Sequence, residues 1–158
     1  MDAGLPQLEP IFDIRLEFDQ RLRIGPVPGG GHVGFTAIAG GEVCGPRLTG
    51  RAIPHSGGDW ARIRDDGVIV FNAHYLLEAS DGTLIYLRNT GYGRTGMRPL
   101  GPGESYEEAE RTQHYFRVTP QFDVPVGPHD WLTRTVVIGY GERHENPDHT
   151  IFRYFAVP

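Results

Sequence analysis

Apolar and polar residues alternate along most of the chain, and the period is two. In "LEPIFDIRLEF" (8–18), Phe12, Ile14, Leu16 and Phe18 fall on one side, with Asp13, Arg15 and Glu17 on the other. That is the pattern of a half-buried strand. "HVGFTAIAGGEVCG" runs into a glycine-rich bend, and "PRLTGRAI" reads as a further strand. "GVIVFNAHYLLEA" (67–79) ends at Asp81-Gly82, a strong hairpin signal, and "TLIYLRNTGY" returns from it. "HYFRVTPQFDV" (114–124), "WLTRTVVIGYGE" (131–142) and "TIFRYFAV" (150–157) complete the strands. One short helix is predicted near 105–113, where Ser105 and Glu108 fit a capping box.

This pattern predicts about eight to ten antiparallel strands, and hence an all-β domain, a barrel or sandwich. Segments 8–18 and 150–157 are placed to pair, which closes a barrel and removes its edges. No repeat, linker or low-complexity run divides residues 1–158, so one domain is expected.

The 67–79 hairpin carries two alternatives of register. A two-residue turn sets His74 and Glu78 beside Ile85, Leu87 and Asn89; a three-residue loop with Gly82 in a bulge sets them beside Tyr86 and Arg88. The second keeps polar with polar and is preferred. The odd face (Ile69, Phe71, Ala73, Tyr75, Leu77) belongs in a core. The even face, with Asn72, His74 and Glu78, meets either bulk water or a hydrated lumen.

Composition adds limits. Hydrophobic residues are 39% and charged ones 22%, as in folded globular chains. The 22 glycines and 13 prolines fall between strand-like runs, as turn punctuation does. Net charge is −5 and no basic block occurs, which argues against nucleic-acid binding. The one cysteine, Cys44, leaves no intrachain disulfide and fits a reducing, cytoplasmic setting. "MDAGLPQLEP" has no signal-peptide pattern, and no apolar run approaches the ~20 residues of a membrane helix.

In order, "GGEVCGPRLTGRAIPHSGGDW", "DDG", "AHYLLEASDGTLIYLRNTGYG", "YFRVTPQFDV" and "WLTRTVVIGYG" resemble the bacterial and fungal family called domain of unknown function 3237, or uncharacterised protein family 0311. The resemblance covers about residues 8–157. It implies a lipocalin-like or calycin-like antiparallel β-barrel. It implies no common substrate or activity.

Candidate chemistry starts with "PHSGGDWARIRDDG" (54–67), read as a glycine-bracketed connection between strands. A carboxylate beside a large aromatic, Asp59 next to Trp60, can be desolvated into a general acid or base. The plainer reading is a turn aspartate, with Trp60 closing a barrel end. Asp65-Asp66-Gly67 reads as a simple turn. Tyr115 and Arg117 share a face and suit an enolate, phenolate or carboxylate, or else surface pairing. Trp131 opens its strand as a core residue.

"GYGRTG" (91–96) matches G-x-G-x-x-G, but "MRPLGPGES" follows and no βαβ unit exists, so a dinucleotide site is not expected. The seven histidines show no H-x-H or H-E-x-x-H spacing, and no G-x-S-x-G occurs. No metal or other cofactor is expected.

Three functions fit these residues. One is a small-molecule carrier, with aromatic side chains lining a pocket. The second is a cofactor-independent isomerase, cyclase or lyase acting on a hydrophobic or aromatic metabolite. Its catalytic candidates are Asp59 and His74, with Trp60, Tyr86, Arg88, Tyr115 and Arg117 on the ligand. The third is a structural or interaction protein. A homodimer is compatible with a small barrel, on general habit alone.

Overall fold

The computed structural model describes residues 4–94 and 115–158. Nine strands follow one another: β1 (Glu9–Ile24), β2 (His32–Cys44), β3 (Gly50–Ala52), β4 (Gly58–Ile63), β5 (Ile69–Ala79), β6 (Leu84–Arg94), β7 (Tyr115–Asp123), β8 (Val136–His144) and β9 (His149–Val157). The expected helix near 105–113 lies outside the described residues.

All pairings are antiparallel, and they close. β1 pairs with β9 on one side and β2 on the other, so the terminal strands meet as their alternation predicted. β3 and β4 both lie between β2 and β5, as two pieces of one interrupted stave. The result is an eight-stranded antiparallel barrel. The β7–β8 seam is thin, bridged at Arg117↔Tyr140 and Val118↔Gly139.

The hairpin takes the three-residue loop. Ala79 and Thr83 close it, Gly82 sits at φ +88°, and His74 stands opposite Arg88. Even positions therefore face even positions, on the outer surface. Inside, Tyr75, Leu77, Ile85, Leu87, Phe12 and Tyr154 are all essentially buried. Phe116 stacks on Phe71 at 4.5 Å and meets Phe152 edge-on at 5.4 Å. Such pairs add about 0.5–1.5 kcal/mol each beyond the area they bury.

Two elements differ from the sequence reading. The stretch 54–67 is not one connection, because Gly58–Ile63 is a strand, paired on both sides. Gly57 and Gly58 masked it. A Cβ at Gly57 would stand 1.8 Å from the His74 carbonyl oxygen, so glycine here answers to close backbone approach. Trp131 does not open a strand either. It lies in a 3-10 turn (Asp130–Thr133), and β8 begins at Val136. There Leu132 is buried, and the Arg47 guanidinium covers the Trp131 ring at 3.7 Å.

The turn at Asp130–Thr133 belongs to the β7–β8 connection, at one end of the barrel. The β1–β2, β4–β5 and β8–β9 connections all lie at the other end. Asp65 joins two of them by accepting from the Gly31 N–H at 3.0 Å. Asp65-Asp66-Gly67 is indeed a turn, with the Gly67 N–H donating to the Arg64 carbonyl at 3.1 Å.

Candidate functional site

Asp59 is the sequence-predicted site residue that points into the barrel. Its β2 partner is Thr36 and its β5 partner is Ala73, both on the inner face. The β4–β5 ladder skips positions 60 and 61, and the Asn72 N–H donates instead to Asp59 Oδ1 at 2.8 Å. Burial raises the Asp59 carboxyl from 3.8 to about 6, against the opposing pull of the Asn72 N–H and the Arg21 charge. The group is therefore a carboxylate near neutral pH that takes a proton readily.

Two spaces meet at Asp59. Toward the loop end an open pocket of about 820 Å³ is lined by Arg21, Arg143, Thr36, Ala61, Ile63, Ile69 and Phe71, among others. Below it lies a cavity of about 40 Å³, bounded by Phe18, Phe71, Phe116, Phe152, Tyr75 and Asn89. Asp59 and Phe71 line both. The lower space admits a water or a carbonyl-sized group. The upper one has the size of an ordinary ligand pocket.

The lower cavity is apolar apart from Asp59, Tyr75 and Asn89. The Tyr75 and Tyr154 hydroxyls and Asn89 Oδ1 are buried and have no hydrogen-bond partner among the described residues. The two phenols interact with each other, and Tyr154 with Asn89, although none of these contacts reaches full hydrogen-bond geometry. Burial pushes both phenols well above their ordinary range, so they stay protonated donors. Unpaired buried donors are expensive, and in native proteins they often mark a functional position.

At the mouth, Arg21 binds Asp148 through both nitrogens of its fork, at 2.8–3.0 Å, and donates to Thr36 Oγ1 at 3.3 Å. Arg143 reaches the same Asp148 only at 3.7 Å. Arg21, Arg143, Tyr75, Tyr154 and Asn89 were not singled out from sequence as site residues. A signal existed for two of them: Tyr75 and Asn89 are lone polar groups on faces otherwise apolar.

The remaining candidates lie on the outer wall. Trp60 is 47% exposed and packs on Phe35 at 4.9 Å. His74 stands beside it, with Nδ1 against the Tyr86 hydroxyl and Nε2 at 3.0 Å from Asn72 Oδ1. Arg88 lies over the Tyr86 ring at 5.9 Å. Tyr115 and Arg117 form a separate outer group, where Arg117 sits 5.2 Å from the Tyr115 ring and 5.6 Å from Tyr140. These residues line neither the mouth pocket nor the inner cavity. Asp59 and His74 face opposite sides of the wall, so a single ligand does not touch both.

The glycines of "GYGRTG" that are described, Gly91 and Gly93, lie inside β6 and pair with Val118 and Phe116. They form no phosphate loop. Among the described residues, no group of three or more His, Cys, Asp or Glu side chains is arranged to hold a metal. No helix among them is long and apolar enough to cross a membrane.

An antiparallel barrel with an ionisable pocket at one end defines the class. The chain belongs to the DUF3237 family, proteins of unknown function, whose model matches residues 6–157. A UPF0311 protein from Rhodopseudomonas palustris (strain TIE-1) is 30% identical over 142 residues, spanning 87% of this chain and 92% of that protein. A β-barrel-like protein from Acinetobacter baumannii AYE superimposes with a TM-score of 0.81 at 26% identity, covering 99% of both chains. A structure from Penicillium herquei, described as an enzyme, superimposes at 0.72 with 20% identity, covering 100% of this chain and 98% of that one, and shows the fold alone.

Proposed function

We propose that this barrel binds a small hydrophobic or aromatic metabolite in its open end and moves a proton on it with Asp59, as a cofactor-independent isomerase, cyclase or lyase. The observation that carries the reading is the position of Asp59. A partly buried carboxylate, raised to about 6, stands where the ligand-sized pocket narrows into the aromatic cavity.

The chemistry balances without a redox partner. The Asp59 carboxylate takes a proton from carbon or hydroxyl, and the bonding pair stays on the substrate as an enolate or alkoxide. The Tyr75 hydroxyl, on the wall of the cavity below, supports this step by offering a donor to such an oxyanion. Asp59, now a carboxylic acid, returns the proton to another substrate atom, which completes an isomerisation or ring closure. In a lyase the proton goes to the leaving group.

A thermal-shift screen of aromatic and carboxylate metabolites, preceded by native mass spectrometry of gently purified protein, identifies the ligand class. Each hit is then incubated in heavy water and followed by NMR. Deuterium exchange or conversion by the wild type, lost in Asp59→Asn with binding retained, supports the proposal. Tight binding with no exchange and no conversion overturns the proton-transfer step and leaves a carrier. An interaction protein is the other reading, favoured by the exposed Trp60, which packs on a half-buried Phe35. A screen without a single hit would turn the balance toward it.

A further inference from the structure

The mouth carries more cationic capacity than its own acids use. Asp148 is the carboxylate shared by Arg21 and Arg143, and both its oxygens are engaged by Arg21. Arg143 is left with a 3.7 Å contact to Asp148, and its Nε is buried without a partner among the described residues. The Arg143 side chain is only 21% exposed. Glu145 and Asp148 attract it from a distance, while Arg21 repels it. Two guanidiniums that face each other across one carboxylate, with a buried N–H unused, are poorly compensated by the protein itself. A second anion between them would supply the missing acceptor.

The β4 and β5 wall of the same pocket is apolar, at Ala61, Ile63, Ile69 and Phe71. The pocket is thus cationic on the side of β1 and β8 and greasy on the side of β4 and β5. A neutral hydrocarbon would leave the guanidiniums as they are, and a polar anion would leave the apolar wall wet.

We propose that Arg21 and Arg143 form the head-group site for a carboxylate, so that the ligand of this pocket is an amphiphilic acid with an aromatic or aliphatic body. This inference rests on the pocket reading above and names the ligand class for it. The carboxylate seats between the two guanidiniums, where Arg143 turns its buried Nε onto it and Arg21 offers its outer side. The body lies on Ile63, Ile69 and Phe71, which directs the far end of the ligand toward Asp59. Neither arginine reacts. Both act by orienting, as planar forks suited to a planar carboxylate.

The test uses a matched pair of probes, 2-naphthylacetate and the neutral 2-naphthylacetamide, titrated calorimetrically into the whole protein at neutral pH. The expected result is that wild type prefers the acid by about tenfold or more, the size of a charge-assisted hydrogen bond. Arg143→Gln should erase that preference while keeping the amide affinity, and Arg143→Lys should keep part of it. The preference should also shrink as salt is added. Equal binding of acid and amide to wild type overturns the head-group site yet leaves the pocket standing, because the amide still binds. A full acid preference surviving in Arg143→Gln also overturns it. Binding of neither probe, nor of the neutral dye N-phenyl-1-naphthylamine, removes the pocket and this inference together. Where Arg143→Gln melts far below wild type, Asp148→Asn gives an independent reading. It releases both guanidiniums and should raise acid affinity over amide, and an unchanged ratio counts against the proposal.

Discussion

The Asp59 carboxylate accepts a hydrogen bond from the Asn72 backbone N–H at 2.8 Å, across a position where the β4–β5 ladder is unbridged. A side chain thus replaces a backbone acceptor, and the carboxylate is held at the inner face by the neighbouring strand. One hydrogen bond does not offset its burial, so the proton affinity of Asp59 rises.

That imbalance predicts a pH dependence. The folded carboxyl titrates at about 6 and the unfolded one at 3.8, so the folded state binds more protons between these values. Stability contributed by this group therefore falls as pH rises from about 4 to about 6, and the penalty is full above that. Its size is about 3 kcal/mol at about 1.4 kcal/mol per pKa unit. Asp59→Asn should thus stabilise the protein at neutral pH by up to that amount, with little change at about pH 4. Urea unfolding of both proteins at the two pH values checks this. A destabilised variant at neutral pH contradicts the burial penalty. A carboxylate kept at a cost in stability is the usual mark of function.

His74→Ala should separate the two faces of the wall. It removes the contacts to Tyr86 and Asn72 on the outside, for a loss of about 1 kcal/mol or less. Ligand affinity in the mouth pocket should stay at the wild-type value. A several-fold loss would place the binding site on the outer wall, with Trp60, Tyr86 and Arg88.

Gly57→Ala should cost about 1–3 kcal/mol, the usual range for overpacking. The added methyl would meet the His74 carbonyl at 1.8 Å, and backbone on both sides must move. Thermal denaturation reads the loss. A neutral outcome would mean that residues 53–57 relax without disturbing the β4–β5 pairing.

Asp81 gives the opposite pH sign from Asp59. The Thr83 N–H, first of all, and then the Thr83 hydroxyl and His129 hold its carboxyl down at about 2. Its stabilisation is present above the unfolded value near 3.8 and is lost as pH falls toward about 2. Asp81→Ala should lower the melting temperature at neutral pH and leave a smaller loss on acidification. An unchanged acid transition would show that the hairpin loop holds its shape without this cap.

Much of the fold was legible in the chain. Period-two alternation marked most strands, Asp81-Gly82 marked a hairpin, and pairing polar with polar chose its register. The segment Gly58–Ile63 stayed hidden because two glycines read as a turn, whereas they answer to the close approach of the β5 backbone. The 3-10 turn stayed hidden because "WLTRTVV" carries strand-forming residues right up to Trp131.

Alternation divides a strand into two faces but does not say which one is inside. Asp59 pairs with Ala73, while Gly58 pairs with His74. One step in register sends the carboxylate into the barrel and the imidazole out. By itself the sequence determined an all-β chain whose terminal strands pair, with a carboxylate beside a tryptophan. Only the closed tertiary structure decided that Trp60 faces outward and that Asp59 looks inward. It also brought Arg21, Arg143 and Asp148 together at the mouth. The reason is that barrel closure is a long-range constraint. It joins residues more than a hundred positions apart, such as Arg21 and Asp148, and no local pattern encodes that meeting.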